Sequence, residues 1–517
     1  MNRRELLKSS LLAATAAAAP PAPAQQTIRV PQPTAHNWPE AARETSGGRM
    51  PNVLWICADQ QRFDTIAGLN NTHILTPNLR RFMDESVTFT HAFVQNPVCS
   101  PSRGSFLTGR YPHTTGLRAN GQRIRPSEQL VPRTLADHGY TCGLSGKLHL
   151  SPCAGGRNEN RIDDGYQVFW WSHDLSDQWP GKNMWRVWLK DRGVKWPDPP
   201  PKTEAWGVPV DPIYTQTAWC SDMAIDFIRQ QRQFNPWLFS VNIFQPHHPF
   251  WPTQDYLAHY DPAKLPSPRY QEGELDSKPV FQRVDHQAAY GGTAVSFAKT
   301  DDLTHRQITA AYYAMIEQVD TEVGRMLKVL ENTGQAENTI VIYMSDHGEM
   351  LGDHGIYLKG PYFYDCMIRV PLMIRWPGRY KAGLRSDALV EMVDLAPTLL
   401  EAAGVPVPAG MQGRSLTPVL TGTATRHRDS IYSEHFDSSF LYDPPPMGAC
   451  VRTERYKLSY FQHLAGGELY DLEKDPGEVE NLWASPGAKG VRQEMMEKLM
   501  GRMIDTVDPL PERKTLW

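Results

Sequence analysis

The sequence predicts an α/β protein with a large, doubly wound, mostly parallel sheet flanked by helices, and a smaller C-terminal α+β subdomain. Three observations carry this expectation. Several short runs are apolar on both parities, as strands buried on two faces must be. Helical periodicity stands between them, and alternating helix and strand calls for helices on both sides of a parallel sheet. Four of the runs end in chemistry, at Asp59-Gln60, Lys147 and His149, His247-His248, and Asp346-His347. In open α/β sheets ligands collect beyond the carboxyl ends of the strands, so the four ends define one candidate site.

Taken in chain order, residues 1–24 have a basic start with Arg3-Arg4, an apolar stretch from Leu11 to Ala19, and small residues at Ala22 and Ala24. This is the pattern of a bacterial export signal, and the twin arginines point to the Tat translocase and a periplasmic destination. The apolar stretch is too short for a transmembrane anchor, and no later segment is long and apolar enough to serve as one. Residues 25–50, rich in Pro and Ala, read as a disordered leader. The main domain is expected over 51–424 and the C-terminal subdomain over 425–517.

The first strand run is "NVLWICADQ", ending at Asp59-Gln60. "GYTCGLSGKLH" is a weaker run ending in Lys147 and His149. Residues 169–210 form a Trp- and Pro-rich stretch with little periodicity, holding seven of the fifteen tryptophans. It reads as an insertion near the mouth of the site, its rings either stacking on a substrate or stapling the insertion together. "PWLFSVNIFQPHHPF" is the next strand, and "RQITAAYYAMIEQVDTEVGRMLKVLEN", closed by Gly334, is the clearest helix. It leads into "TIVIYMSDHG". In the C-terminal part, "VRTERYKLSYF" reads as a strand, "GELYDLEKDPGEVENL" as strand, turn and helix start, and "AKGVRQEMMEKLMGRMID" as an amphipathic helix.

The formal charge of −4 argues against nucleic-acid binding, which needs a basic surface. Asp59, Gln60, Asp346 and His347 together offer two carboxylates, an amide oxygen and an imidazole. Hard oxygens suit Ca²⁺, Mg²⁺ or Mn²⁺, and the nitrogen tilts the set toward Mn²⁺. An Asp after a strand often caps a helix instead, but two such pairs at strand ends make that reading weaker. Asp353 and His354 read as residues of a Gly-rich loop.

Seven cysteines at wide spacings suggest no disulfide pairing, and the odd count invites a reactive or modified residue. Cys57 and Cys366 sit in apolar surroundings as core fillers. Cys99, in "NPVCSPSRGSFLTGRYP", precedes a helix expected to begin at Ser100 or Pro101, where exposed N–H groups favour an anion. A thiolate nucleophile is one reading. It leaves the thiol without a base partner beside a cation that thiols bind poorly.

The C-x-P-x-R run from Cys99 to Arg103, extended as "CSPSRGSFLTGRYP", resembles the maturation signature of the type I sulfatases of the alkaline phosphatase superfamily. The resemblance spans roughly residues 51–483 and includes "GYTCGLSGKLH", "PHHPF", "SDHGEMLGDHG" and "RTERYKLSYF…ELYDLEKDPGEVENL". It implies that a maturation enzyme oxidises Cys99 to Cα-formylglycine. A hydrated aldehyde has two hydroxyls on one carbon. One attacks sulfur with the metal's help, and the other, deprotonated, expels sulfate and restores the aldehyde. The metal set is then Asp59, Gln60, Asp346 and His347 with the modified Cys99, and the cation is expected to be Ca²⁺, with Mn²⁺ or Mg²⁺ as alternatives. Arg103 and Lys147 hold the hydrate, His149 is the base that releases sulfate, and His247, rather than its neighbour His248, protonates the leaving alcohol. Lys359 binds sulfate oxygens.

Gln60 and His347 depart from the commonest pattern of this family, which has Asp and Asn there. The pair also resembles phosphonate monoester hydrolases and phosphodiesterases with the same fold and aldehyde. The export signal and "GPYFYDCMIRVPLMIRWPG" favour a sulfatase acting on a sulfated carbohydrate or an aryl sulfate. A non-catalytic glycan-binding relative is the remaining alternative, and it would be expected to lack one of these residues.

Overall fold

The computed structural model describes residues 44–45, 48–176, 178–179, 181–198, 205–231, 235–436, 442–464 and 466–511. The export signal read at 1–24 and most of the leader at 25–50 lie outside them. Among the described residues nine strands build the main sheet: β1 (Asn52–Ala58), β2 (Val87–Phe93), β3 (Thr141–Gly146), β4 (Val168–Trp171), β5 (Trp237–Ile243), β6 (Thr339–Ser345), β7 (Arg369–Arg375), β8 (Arg385–Ser386) and β9 (Val390–Glu391). Their order is β8-β2-β7-β6-β1-β5-β3-β4, with β9 also on β2. Only β7 runs against the others; it is antiparallel to both β2 and β6, and every other pairing is parallel.

The both-parity apolar runs have a direct structural cause. In β1, Val53, Trp55 and Cys57 join a core that includes Phe106 and Leu107 of helix α1 (Cys99–Thr108). Leu54 and Ile56 face the opposite core. Helix α2 (Met184–Asp191) contributes Trp185 and Leu189 to that second core. Helices α3 (Gln216–Gln230) and α4 (Asp302–Asn332) contribute Trp219 and Val323. A sheet covered on both faces leaves its strands no solvated side, so β1, β5 and β6 are buried along their whole length.

The Trp-rich segment has more structure than its sequence shows. Val168–Trp171 extends the main sheet as β4, and α2 follows. Trp171, Trp179 and Trp185 are buried. Part of the stretch, residues 177, 180 and 199–204, lies outside the described residues.

The C-terminal segment forms a four-stranded antiparallel sheet, β10 (Ile431–Phe436), β11 (Met447–Arg452), β12 (Tyr456–Gln462) and β13 (Gly467–Asp471), with α5 (Lys489–Asp505) packed on it. "VRTERYKLSYF" is therefore two strands joined by a turn, where one was expected. The turn closes through Thr453, whose N–H donates to the Tyr456 carbonyl at 2.8 Å and whose Oγ1 accepts from Tyr456 N at 2.9 Å. The helix start read in "GEVENL" is a single 3₁₀ turn, Leu482–Ala484. All seven cysteines are buried and unpaired.

Candidate active site

Four neighbouring parallel strands, β6-β1-β5-β3, end at one edge of the sheet. Ala58 is opposite both Ser345 and Ile243, so Asp59 and Asp346 leave adjacent strands at the same level. On the far side of β5, Gly146 ends β3 at φ +98°, and a Cβ there would lie 1.9 Å from the Asn242 carbonyl oxygen. Only glycine turns the chain this tightly, and the turn delivers Lys147, whose N–H donates to that carbonyl at 3.1 Å. Gly348 plays the same part after His347, since its Cβ would meet the Cys366 carbonyl at 1.8 Å.

Helix α1 brings Cys99 to this edge. The first i→i−4 bond runs from Ser102 N to Val98 O at 3.2 Å, so the helix begins at Cys99, one residue before the expected start. Ser102 Oγ donates to the Asp346 carbonyl and fastens the helix to β6. Cys99 Sγ then lies 3.0 Å from His347 Nε2 and 3.7 Å from Asp59 Oδ1. His347 Nε2 is 3.8 Å from both Asp59 Oδ1 and Asp346 Oδ1. The four groups are fully buried, and their ligand atoms lie within 4.8 Å of one another.

The donor set fits a cation. His347 Nδ1 faces the Gly348 carbonyl at 2.8 Å, which can only accept, so Nδ1 carries the proton and Nε2 turns its lone pair to the cluster. Gln60 is oriented by the same logic. Its Nε2 donates to the Glu349 carboxylate, and its Oε1 accepts from Lys359 Nζ at 3.0 Å, so the amide oxygen is turned to the site. Glu349 is held in turn by the N–H groups of Leu351 and Leu358.

Arg103, also fully buried, donates to Asp346 Oδ2 at 2.8 Å, Asp59 Oδ2 at 3.0 Å and the Lys147 carbonyl at 2.8 Å. Lys147 Nζ pairs with Asp59 Oδ2 at 2.7 Å and lies 3.7 Å from Cys99 Sγ. Lys359 Nζ lies 3.0 Å from Cys99 Sγ and 2.6 Å from His247 Nε2. Arg103, Lys147 and Lys359 converge on Asp59 and Asp346, and Lys147 and Lys359 also face the cavity, a setting for an anion. Burial and Asp59 push the Cys99 thiol up, but chiefly Lys147 and Lys359 outweigh them and bring it down to about 7. Burial alone would raise the Asp59 carboxyl; Lys147, chiefly, and Arg103 hold it well below the usual range.

Cys99, Lys147, His149, His247 and Lys359 line a cavity of about 760 Å³, together with His248, Tyr290, Trp196 and Trp251. Asp59, Gln60, Arg103, Asp346 and His347 form the hydrogen-bonded layer behind them. His247 Nδ1 donates to the His248 carbonyl, which leaves Nε2 to accept from Lys359. Burial, then Lys359, holds His247 well below the ordinary histidine range. His248 lies 3.4 Å from both the Gln60 amide and the Tyr290 hydroxyl. Of the seven tryptophans between 170 and 206, Trp196 lines the cavity. Asp353 and His354 turn elsewhere: Asp353 pairs with Arg62 at 2.8 Å, and His354 with Glu274 at 2.9 Å.

Sequence reasoning missed Glu159. His149 adopts a left-handed backbone, φ +61°, unusual for a residue with a Cβ. Glu159 accepts from the N–H groups of His149 (2.9 Å) and Leu150 and from Trp171 Nε1 (3.0 Å), clamping that conformation. Burial pushes the Glu159 carboxyl up and the three donors hold it back. Burial and then Lys147 hold His149 well below the ordinary histidine range, so it is neutral. His173 and Asn120, which also line the cavity, were missed too.

Comparison with known proteins follows the same outline. The family model described as Sulfatase matches residues 51–405, and that for the C-terminal part of N-sulphoglucosamine sulphohydrolase matches 352–505. The chain is 25% identical to an N-acetylglucosamine-6-O-sulfatase of Bacteroides thetaiotaomicron, over 90% of this chain and 88% of that protein. It is 29% identical to an arylsulfatase of Clostridium perfringens, over 87% of this chain and 95% of that one. Among solved structures, the phosphonate monoester hydrolase of Agrobacterium radiobacter superposes with a TM-score of 0.78 at 28% identity, covering 89% of this chain and 97% of that chain.

Proposed function

The chain belongs to the sulfatase family and is a sulfuric ester hydrolase, and from that premise we propose that it cleaves sulfate monoesters of a carbohydrate or aryl alcohol with a formylglycine made from Cys99. The observation that carries this reading is Cys99 itself. Its sulfur sits at a helix N-terminus between Lys147, Lys359 and His347 and opens onto the cavity, and the imidazole in reach, His347 at 3.0 Å, also faces Asp59 and Asp346 as a member of the cation set rather than standing free as a thiol's base. That sulfur marks the place of the hydrate oxygens in the matured protein. The aldehyde supplies a nucleophile with a second hydroxyl, which lets the adduct collapse without water attacking sulfur.

Asp59, Gln60, Asp346 and His347 are the residues that would hold a divalent cation, Ca²⁺ first and Mn²⁺ or Mg²⁺ as alternatives. Such a cation supplies Lewis-acid polarisation of the sulfate and of the nucleophile. Arg103 fixes both carboxylates of that set, and Lys147 offsets charge on the attacking oxygen. Lys359 is placed to bind a sulfate oxygen and, donating to His247 Nε2, to supply the proton that this otherwise neutral imidazole passes on to the leaving alcohol. Neutral His149 takes the proton from the second hydroxyl.

The maturation enzyme and the Tat translocase are the partners this reading requires, with periplasmic export as its destination. Among the described residues no helix is long and apolar enough to cross a membrane. Replacing Arg3-Arg4 by two lysines should trap active enzyme inside the cell; unchanged export would reject the route.

A second reading is favoured by Gln60 and His347 in the cation set and by the superposition on a phosphonate monoester hydrolase. It is an enzyme with the same machinery acting on singly charged phosphorus esters. Turnover of an aryl sulfate, a sulfated sugar and an aryl phosphonate monoester by matured protein separates the two. The proposal expects the highest kcat/KM on a sulfate ester, and a clear preference for the phosphonate would replace it.

A further inference from the structure

A second group of metal-ligating side chains adjoins the cavity. His149, Cys153 and His173 each present one ligand atom within 4.8 Å of the others. Cys153 Sγ is 3.4 Å from His173 Nδ1 and 3.5 Å from Nε2. The rings of His149 and His173 meet edge to face with centroids 4.6 Å apart. Among the described residues His149 Nδ1 is buried with no hydrogen-bond partner, an orphaned lone pair or proton within a cluster of ligands. Indoles wall the group, Trp171 stacking on His173 and Trp179 meeting it edge-on.

The spacing suits a tetrahedral cation. Zn–S of about 2.3 Å and Zn–N of about 2.0–2.1 Å place a sulfur and a nitrogen about 3.6 Å apart across a tetrahedral angle. The Cys153–His173 distances are already close to that. A turn of the His173 ring about its soft terminal torsion aims one nitrogen at the shared space. The ligands are two nitrogens and a sulfur, which suit Zn²⁺ and its neighbours and not Ca²⁺. Both imidazoles are neutral, since burial, followed by Lys147, holds them well below the ordinary range. Burial, then Glu159, pushes the Cys153 thiol up, and a coordinating cation removes such a proton outright. His149 and His173 line the cavity, so a cation has a way in and an open fourth position facing it.

We propose that His149, Cys153 and His173 form a separate binding site for a borderline divalent cation such as Zn²⁺, and that its occupation inhibits the enzyme by tying up His149. The cation binds the two ring nitrogens and the Cys153 sulfur, and the thiol proton leaves to solvent. A ring nitrogen spent on a cation no longer serves as a base. The inhibition half rests on the role of His149 proposed above, whereas the binding half stands on the geometry alone.

The probe is Co²⁺, whose thiolate complexes absorb in the near ultraviolet. It is added to full-length Cys99→Ser protein, which has no thiol at the other centre. A thiolate–cobalt band is expected, and it should vanish in the Cys99→Ser/Cys153→Ser and Cys99→Ser/Cys153→Ala proteins, each checked for folding by circular dichroism. No band, or a band that survives both changes, overturns the site. In matured enzyme carrying no substitution at position 99, Zn²⁺ should inhibit sulfate-ester hydrolysis. Cys153→Ser should raise the inhibitory concentration by about tenfold or more, given that even outer-shell losses cost a metal site about 10–100-fold. Equal inhibition of both proteins overturns the link to His149. Should the matured enzyme hydrolyse no sulfate ester, the functional reading fails while the cobalt band still decides the site.

Discussion

Replacing Glu159 by Gln tests how the fold holds His149. The carboxylate accepts three N–H groups, two on Oε2 and one on Oε1. A glutamine has one oxygen. If it takes the Oε2 place, it keeps His149 N and Trp171 Nε1, and its NH₂ then faces the Leu150 N–H, donor against donor. The change removes a hydrogen bond to a charged acceptor, about 1.5–3 kcal/mol, and leaves a buried N–H unsatisfied, about 1–3 kcal/mol. The two figures describe one lost bond, so the cost is about 3 kcal/mol at most, which matches the upper end of the about 1–3 kcal/mol that a left-handed non-glycine residue stores, and the clamp no longer outweighs the strain. A loss of about 3 kcal/mol in the held conformation is about two powers of ten in rate at most. The expected outcome is a kcat lower by about ten- to a hundredfold with KM little changed, because the base role proposed for His149 falls on an intermediate after substrate is bound. Steady-state kinetics on an aryl sulfate, with a thermal melt to confirm folding, measures both. A folded variant with unchanged kcat refutes the clamp; one with raised KM and unchanged kcat moves Glu159 to a binding role.

Three further outcomes are expected. Lys457 is fully buried and donates to Asp365, Glu478 and the Phe363 carbonyl, tying β12 to the segment that leads into β7. Lys457→Met should cost about 3 kcal/mol, the lower end of the range for breaking a buried pair, because Arg369 and Arg452 stay beside Asp365; a denaturant melt showing under about 1 kcal/mol, the worth of a surface pair, contradicts this. Burial alone would lower His113, but its bond to Glu434 at 2.7 Å raises it above the ordinary 6.5. A raised folded value means stability fully present below pH 6.5 and lost as pH rises through that value, so the stability gap between wild type and His113→Gln should narrow from pH 6 to 8.5; a constant gap refutes it. Chelation should abolish turnover and lower the melting temperature, with Ca²⁺ or Mn²⁺ restoring both; full activity after exhaustive chelation removes the cation from the account.

Much of this was legible because it lies on chemistry-bearing strand ends. Asp59 and Asp346 each follow an apolar run, and a parallel sheet must carry such ends to one edge. Cys99 and Arg103 were found through a contiguous motif on one helical turn. The reversal of β7 was not legible, since an apolar run carries no direction. "VRTERYKLSYF" hid a hairpin because its turn, Thr453–Arg455, is closed by a threonine and has no glycine to announce it. Glu159, Glu349 and His173 are loop residues whose partners are backbone N–H groups, an amide or a distant thiol. No periodicity marks them, although Glu349 stands two residues beyond His347 in a segment already singled out.

The central claim is that Cys99 works as an aldehyde in a cation-lined pocket and not as a thiol. The most direct measurement is the mass of the peptide containing Cys99, taken from active enzyme made in its native host. The account predicts the lighter formylglycine form, captured as a hydrazone by a carbonyl reagent. An intact thiol in fully active enzyme would contradict it.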